Sequence, residues 1–208
     1  MIELLTADTP NGKKISIMLE EINYDYKVTK ININKDEQFK PEFKKLSPFS
    51  KIPVIIDHET KTSLFESGAI LIYLGEKSGM FYDKDQRTTI NQWLMGQMGY
   101  VGPMLGQHHQ FHYYNPGKSK FGEERYFRIS TQIYKDLDRR LAKSKYLACS
   151  KYTIADIATF PWVARHEIHD IRLKKFKNLT RWFELISKRK AVIKGYDFMN
   201  RGETIPKP

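Results

Sequence analysis

The spacing of apolar residues changes near residue 80, and this change limits the possible folds more than any other feature. Residues 1–80 alternate strand-like runs (MIELLTA, YDYKVTKINI, IPVIID, SLFE) with helix-like runs such as SGAILIYLGEKSG. The predicted order is β-α-β-α-β-β-α. An order of this kind indicates a mixed sheet with helices packed on it.

Residues after this point contain only helix-like runs. RTTINQWLMGQMGYVGPMLG predicts a helix with a kink or break near Gly102-Pro103, and YTIADIATFPWVA begins with Thr153 and Asp156 at capping-box spacing. With the boundary in KSGMFYDKD, we predict an α/β domain over residues 1–80 and an all-helical domain over residues 86–208. The tail RGETIPKP is predicted to be disordered or loosely docked, with no role.

Composition places the chain among intracellular globular proteins. Its 208 residues have no signal-peptide pattern at the start and no apolar run near the roughly 20 residues that cross a bilayer. A single cysteine, Cys149, excludes an internal disulfide framework and indicates a reducing, cytoplasmic environment. We expect Cys149 to be a buried or half-buried small residue rather than a nucleophile.

Positive charge is concentrated at the C-terminal end. The chain carries a net charge of +11, and residues 170–208 contribute 11 basic and 4 acidic side chains, a net +7. Nucleic acid or an acidic membrane could bind such a stretch. No zinc-ligand spacing or RNA-binding aromatic motif accompanies it, so a solvated helix face is favoured, with no nucleic-acid or membrane partner.

The strand-like run SKIPVIID contains a proline, Pro53. Proline lacks the N–H that a sheet interior requires, so a trans proline opening an edge strand is one interpretation. The alternative is a cis Ile52–Pro53 bond, which would turn the backbone of Ile52 outward. An extended peptide could then pair with Ile52 as a short additional strand.

Glu66 and Ser67 stand immediately before an apolar helix in LFESGAI. Ser67 is predicted to be the N-cap of that helix, whose N-terminus suits a carboxylate ligand, while Glu66 would bind an ammonium group. The pair therefore suits the head group of an amino acid. In the structural alternative, Ser67 only caps the helix and Glu66 is a favourable first-turn acid.

The ordered set of motifs TPNGKKISIMLEE, QFKPEF, SPFSKIPVIIDH, LFESGAILIYL, GPMLGQ, ERY and TIADIATFPW resembles the glutathione transferases over essentially the whole chain. It is most similar to the nu class, bacterial relatives of the fungal nitrogen-regulator type. The resemblance implies an N-terminal thioredoxin-like βαβαββα domain with a cis-proline, followed by an all-helical C-terminal domain.

The resemblance also implies the site residues. Thr9 and Asn11 stand where other thioredoxin-like proteins carry cysteines, and would stabilise the glutathione thiolate; from the residues alone, Asn11 is a helix N-cap and Thr9 a turn residue. The implied contacts elsewhere are Gln38 and Lys51 to the glycine end, Ile52 beside Pro53 to the cysteinyl backbone, Glu66 and Ser67 to the γ-glutamyl end, and Arg125 across a homodimer interface.

Three functions remain open at this stage. The resemblance favours a glutathione-dependent disulfide-bond reductase, with hydroperoxide reduction as a side activity. A transferase acting on electrophiles and a non-catalytic binding protein of the same fold are the alternatives. His108 and His112 have one spacing found in metal sites, but together with His109 they are expected to line the cleft near substrate, and no metal cofactor is predicted.

Overall fold

The computed structural model describes all 208 residues and divides into two compact units. The first comprises Met1–Tyr82 together with Lys190–Thr204, and the second comprises Asp83–Arg189 together with Ile205–Pro208. Residues 190–204 therefore belong with the first unit, although the sequence pattern assigned them to the helical domain. No helix combines the length and the apolar character required to cross a membrane.

The first unit is built on a four-stranded sheet of order β2-β1-β3-β4, in which β1 and β2 are parallel and the other two pairs are antiparallel. Three helices connect or follow these strands, in the predicted βαβαββα order. The elements are β1 (Ile2–Thr6), α1 (Pro10–Glu21), β2 (Tyr26–Lys30), α2 (Pro41–Leu46), β3 (Val54–Asp57), β4 (Thr62–Phe65) and α3 (Ser67–Ser78).

Helices account for all the regular structure of the second unit, as the sequence predicted. They are α4 (Arg87–Gly96), α5 (Gly102–His108), α6 (Lys120–Leu141), α7 (Ile154–Val163) and α8 (Lys177–Ser187), with π-helical turns over Gln97–Val101 and His109–Tyr114. Near Gly102-Pro103, where a kink or break was predicted, the helix changes from π-helical to α-helical turns, and the backbone stays right-handed helical through Val101 and Gly102. The predicted capping box of Thr153 and Asp156 is present at the start of α7.

A ninth helix, α9 (Lys190–Tyr196), returns to the first unit and packs on α1. The contact is close at Gly195, where a Cβ atom would lie 2.6 Å from the Cα of Ile17, so only glycine fits. The hydroxyl of Ser16 donates a 2.6 Å hydrogen bond to the carbonyl of Gly195. The last helix therefore completes the packing of the first one.

The tail beyond α9 is also held in place. Glu203 accepts a 2.5 Å hydrogen bond from the ammonium of Lys13, which is fully buried and also lies 3.0 Å from Asp8. Asp197 accepts hydrogen bonds from the backbone N–H groups of residues 201 and 202. The tail was predicted to be disordered or loosely docked, with no role; Glu203 gives it one, because a buried lysine requires acidic partners and Glu203 is one of them.

Candidate functional site

The pairing of the strands brings the predicted site residues to one edge of the sheet. Leu5 of β1 lies opposite Val54 of β3, and Val54 lies opposite Phe65 of β4. The residues that follow β1, precede β3 and follow β4 consequently emerge at the same edge. They are the turn that leads to Thr9, the pair Ile52-Pro53, and the pair Glu66-Ser67.

Helix α1 begins at this edge, and Thr9 is its N-cap. The Thr9 hydroxyl oxygen accepts a 3.1 Å hydrogen bond from the N–H of Gly12, and a hydroxyl that accepts one bond can still donate another. Pro10 and Asn11 are the first two residues of the helix. The interpretation of Asn11 as the N-cap was therefore wrong; it lies half-buried in the first turn, where the helix dipole favours negative charge.

Gly12 permits the tight packing of this turn. A Cβ atom at that position would lie 2.5 Å from both the carbonyl oxygen of Ala7 and the hydroxyl oxygen of Thr6. Any side chain at position 12 would thus push the start of α1 away from the end of β1. The glycine of the TPNG segment fixes where Thr9 and Asn11 lie relative to the sheet.

The Ile52–Pro53 peptide bond is cis, which decides between the two interpretations of the strand proline. Strand pairing of β3 begins only after it, at Val54. The preceding loop is fixed by Ser47, whose hydroxyl accepts from the N–H of Lys51 at 3.1 Å and donates to its carbonyl at 2.8 Å. The Lys51 side chain is exposed, Ile52 is half-buried and Pro53 is buried.

The second helix that starts at the edge is α3, and its N-cap is Glu66, not Ser67 as predicted. Glu66 has a left-handed φ of 67° and makes no side-chain capping bond. Its exposed carboxylate is consequently not used to cap the helix. Ser67, only 5% exposed, is the first helical residue. The predicted cap was off by one position because either residue type can precede a helix.

Lys14 is a residue that the sequence analysis missed. Its side chain is buried, and its amine donates a 3.3 Å hydrogen bond to the hydroxyl of Ser67. Burial lowers the pKa of Lys14 to about 7, against an opposing effect of the Glu66 charge. Lysine is among the side chains least often buried, so nothing in the sequence KKISIM indicated that this one lies beneath the start of α3.

Gln38 and Arg125 lie at different places in the fold. Gln38 belongs to a 3-10 turn after β2, where its amide nitrogen donates to the carbonyl of Ile33 at 3.4 Å. Its amide oxygen is buried without a hydrogen-bond partner. Arg125 is an exposed residue of α6 in the second unit, so its contribution to a neighbouring subunit's site stays a prediction.

The histidines of the second unit form a packed cluster. His108 and His109 are buried, and their rings stack on His112 and His169 at centroid distances of 4.8 and 4.6 Å. The hydroxyl of Tyr134 lies 2.8 Å from a ring nitrogen of His169. Burial lowers the pKa of His109 to about 4. No group of residues in the chain is arranged to hold a metal ion.

Cys149, the only thiol, lies in the second unit and is half-buried, as predicted. Its sulfur accepts from the N–H of Lys151 at 3.5 Å. The edge of the sheet in the first unit therefore contains polar side chains and two helix N-termini but no sulfur of its own. Such a set can bind a peptide-like zwitterion and stabilise an anion, while any thiol chemistry requires a ligand's sulfur.

Comparison with known families matches both halves of the chain. Residues 3–76 match the N-terminal domain of glutathione S-transferase, and residues 108–190 match its C-terminal domain. Among relatives, the disulfide-bond oxidoreductase YfcG of Escherichia coli K12 is 43% identical over 198 residues, which is 92% of each chain.

Two solved structures show the same fold. A glutathione transferase from Pseudomonas putida, with one glutathione disulfide bound per subunit, has a TM-score of 0.86 at 40% identity and covers 94% of this chain and 90% of that chain. One from Burkholderia graminis, with two glutathione molecules bound per subunit, has a TM-score of 0.88 at 38% identity and covers 97% and 89%. The resemblance inferred from the sequence is confirmed, and the chain belongs to the glutathione S-transferase family.

Proposed function

We propose that this chain is a glutathione-dependent disulfide-bond reductase in which bound glutathione supplies the nucleophilic thiolate. The observation that carries the proposal is the edge of the sheet described above, which has two helix N-termini and a cis-proline but no cysteine. The 43% identity to a disulfide-bond oxidoreductase and the glutathione molecules bound to the two structural relatives support it.

Each part of the edge is assigned to one part of glutathione. Glu66 binds the ammonium of the γ-glutamyl end, while Ser67 and the N-terminus of α3 bind its carboxylate. The backbone of Ile52, beside Pro53, pairs with the cysteinyl residue. Gln38 and Lys51 bind the glycine end, where the buried amide oxygen of Gln38 accepts from the glycine N–H and the Lys51 ammonium faces the carboxylate.

Thr9 and Asn11 stabilise the thiolate at the start of α1. The Thr9 hydroxyl and the Asn11 amide act as donors, and the helix N-terminus favours the negative charge of the sulfur. Both effects lower the pKa of the thiol and raise the fraction of nucleophile at neutral pH. Both side chains lie at the start of the same helix, because Thr9 is the N-cap of α1 and Asn11 is in its first turn.

The reaction consists of two thiol–disulfide exchanges. The glutathione thiolate attacks one sulfur of the substrate disulfide, forms a mixed disulfide with it and releases the other half as a thiolate, which takes a proton from solvent. A second glutathione thiolate then attacks the glutathione sulfur of the mixed disulfide. This step releases the remaining half of the substrate and forms glutathione disulfide, so two glutathione molecules are oxidised and one disulfide is reduced.

Three further features belong to this proposal. The same thiolate reduces organic hydroperoxides, while transfer to electrophilic carbon is weak. Arg125 reaches the glutathione of the neighbouring subunit in a homodimer. The reducing cytoplasm, which keeps glutathione in its thiol form, is the compartment where the activity operates.

Retention on immobilised glutathione and a coupled assay test the function. Hydroxyethyl disulfide reduction is measured with glutathione, NADPH and glutathione reductase, beside conjugation of 1-chloro-2,4-dinitrobenzene and reduction of cumene hydroperoxide. We expect disulfide reduction to be the fastest of the three. A faster conjugation rate would favour a transferase, and retention without any turnover would favour a binding protein.

A further inference from the structure

Lys14 lies directly beneath the residue assigned to the γ-glutamyl carboxylate. Its amine is 3.3 Å from the Ser67 hydroxyl, and its exposed fraction is 1%. Ser67 is itself buried and begins α3. A lysine amine at this position adds to the positive end of the α3 dipole from inside the protein, so the two effects act on the same ligand group.

We propose that Lys14 is a positioning residue that acts through Ser67 to select ligands with a carboxylate at the γ-glutamyl end. The inference rests on the proposed glutathione site and adds a residue to it. When the amine is an ammonium group, it donates to the oxygen of Ser67, whose hydroxyl hydrogen is then directed toward the ligand carboxylate. A ligand without that carboxylate gains nothing from the buried charge.

Several other charged side chains on α1 and on the elements packed against it have partners of their own. Lys13 is paired with Asp8 and Glu203, and Glu20 with Lys194 of α9. From α3, Lys77 pairs with Asp57 and Glu59, leaving Glu66 as the acidic group that influences Lys14. From β1, Glu3 accepts a hydrogen bond from Thr29. The protonation of Lys14 is therefore coupled to Glu66 and to what binds beside it.

Ligand binding and proton uptake are linked as a consequence. In the free protein, burial keeps the pKa of Lys14 at about 7, so the amine is largely neutral at pH 8. A carboxylate bound at Ser67 favours the ammonium form, and binding then takes up part of a proton from the buffer. Below pH 6 the amine is already charged, and uptake disappears.

Calorimetry with S-methylglutathione provides the test, because this analogue has no thiol whose ionisation would release protons. Binding enthalpies are measured at pH 8 in phosphate and in Tris, whose ionisation enthalpies differ. The same measurement is made with the 4-aminobutanoyl analogue, which keeps the ammonium group and lacks the carboxylate. The variants are Lys14→Met and, as a matched control, Lys13→Met, which removes a buried lysine that does not contact Ser67.

We expect the wild-type protein and Lys13→Met to take up protons with S-methylglutathione, and Lys14→Met to take up none. Lys14→Met should bind S-methylglutathione about tenfold more weakly at pH 6, as expected for loss of a charge-assisted bond, and bind the 4-aminobutanoyl analogue with unchanged affinity. A thermal melt confirms that each variant is folded.

Three results separate failure of this inference from failure of the proposed function. Binding of S-methylglutathione with equal proton uptake in wild type and Lys14→Met would overturn the role of Lys14 and leave the glutathione site standing. The same is true if Lys13→Met abolishes uptake as fully as Lys14→Met. A wild-type protein that binds no S-methylglutathione would overturn both proposals.

Discussion

The indole N–H of Trp182 donates a 2.8 Å hydrogen bond to Oδ1 of Asp156, which is buried at the start of α7. The same carboxylate accepts bonds from the backbone N–H groups of Leu147 and Thr153 and from the Thr153 hydroxyl. One acid thus joins the loop before α7, the cap of α7 and helix α8. It is a buried polar connection within the core of the second unit.

Substitution of this acid tests its contribution to stability. Asp156→Ala leaves several buried donors without partners, and we expect a loss of about 3 kcal/mol in the free energy of unfolding. Thr153→Ala removes the capping bond from the N–H of Ala155 and the hydroxyl bond to Asp156, and should cost about 1 kcal/mol. Guanidinium unfolding monitored by tryptophan fluorescence measures both. Equal losses in the two variants would contradict a central role for Asp156.

Asn11→Ala should abolish most of the disulfide reductase turnover, because the glutathione thiolate loses a donor at the start of α1. Thr9→Ala should lower turnover as well and should also destabilise α1 by about 1 kcal/mol, since Thr9 is its cap. Initial rates with hydroxyethyl disulfide measure the effect. Because the pKa of the bound thiol rises, higher pH should restore part of the rate in Asn11→Ala.

Cys149→Ser is the matched control for these variants, and its activity should equal that of the wild type. The only thiol of the chain is in the second unit, and the proposed mechanism uses ligand sulfur alone. A large loss of turnover in Cys149→Ser, or unchanged turnover in Asn11→Ala, would require a different mechanism.

Lys14→Met should stabilise the protein without ligand, and by an amount that depends on pH. The pKa of Lys14 is about 7 in the folded protein and near the ordinary 10.5 in the unfolded chain. Between these values the unfolded chain binds the additional proton, so wild-type stability rises with pH and the cost of burying Lys14 falls.

The free energy of unfolding of Lys14→Met should exceed that of the wild type by an amount that decreases by about 2 kcal/mol between pH 7 and pH 9. Guanidinium unfolding of wild type and variant at both pH values measures this difference directly. A constant difference between the two proteins would show that Lys14 is charged to the same extent in both states.

In the ion cluster of Lys13, Asp8 and Glu203, removing the acid Glu203 should destabilise the protein more than removing Lys13. Lys13 is fully buried, whereas the side chains of Asp8 and Glu203 are 23% and 32% exposed. Glu203→Ala leaves a buried cation with one acidic partner fewer and should cost about 1–3 kcal/mol. Lys13→Met leaves two carboxylates that can reach water and should cost less. Thermal melts rank the two variants, and the reverse order would contradict this account of the cluster.

The order of elements and the family could be predicted because they depend on local patterns. Each of these patterns is contained in a short stretch of sequence. Examples are the alternation of strand-like and helix-like runs in the first 80 residues, the Thr153–Asp156 spacing and the glycine-proline pair at residues 102 and 103. The exact caps at Thr9 and Glu66 were missed, since neighbouring polar residues satisfy the same local rule and the surrounding packing selects one of them.

Contacts between distant segments could not be predicted. Lys13 and Lys14 look like solvated residues of an amphipathic helix, and their burial depends on Glu203 and Ser67, which are 190 and 53 positions away. A pattern of adjacent residues carries no information about such partners. The structure gives the positions of Lys51 and of Gln38 in the fold, whereas their contacts with glutathione remain predictions.

The packing of α9 on α1 has a consequence for how the molecule is made. Helix α1 is among the first segments to leave the ribosome, but the surface that covers Ile17, together with the acid that completes the ion cluster of Lys13, is supplied by residues 190–204. The amino-terminal unit therefore reaches its final form only after residues 190–204 have left the ribosome, even though domains near the start of a chain generally fold first during synthesis.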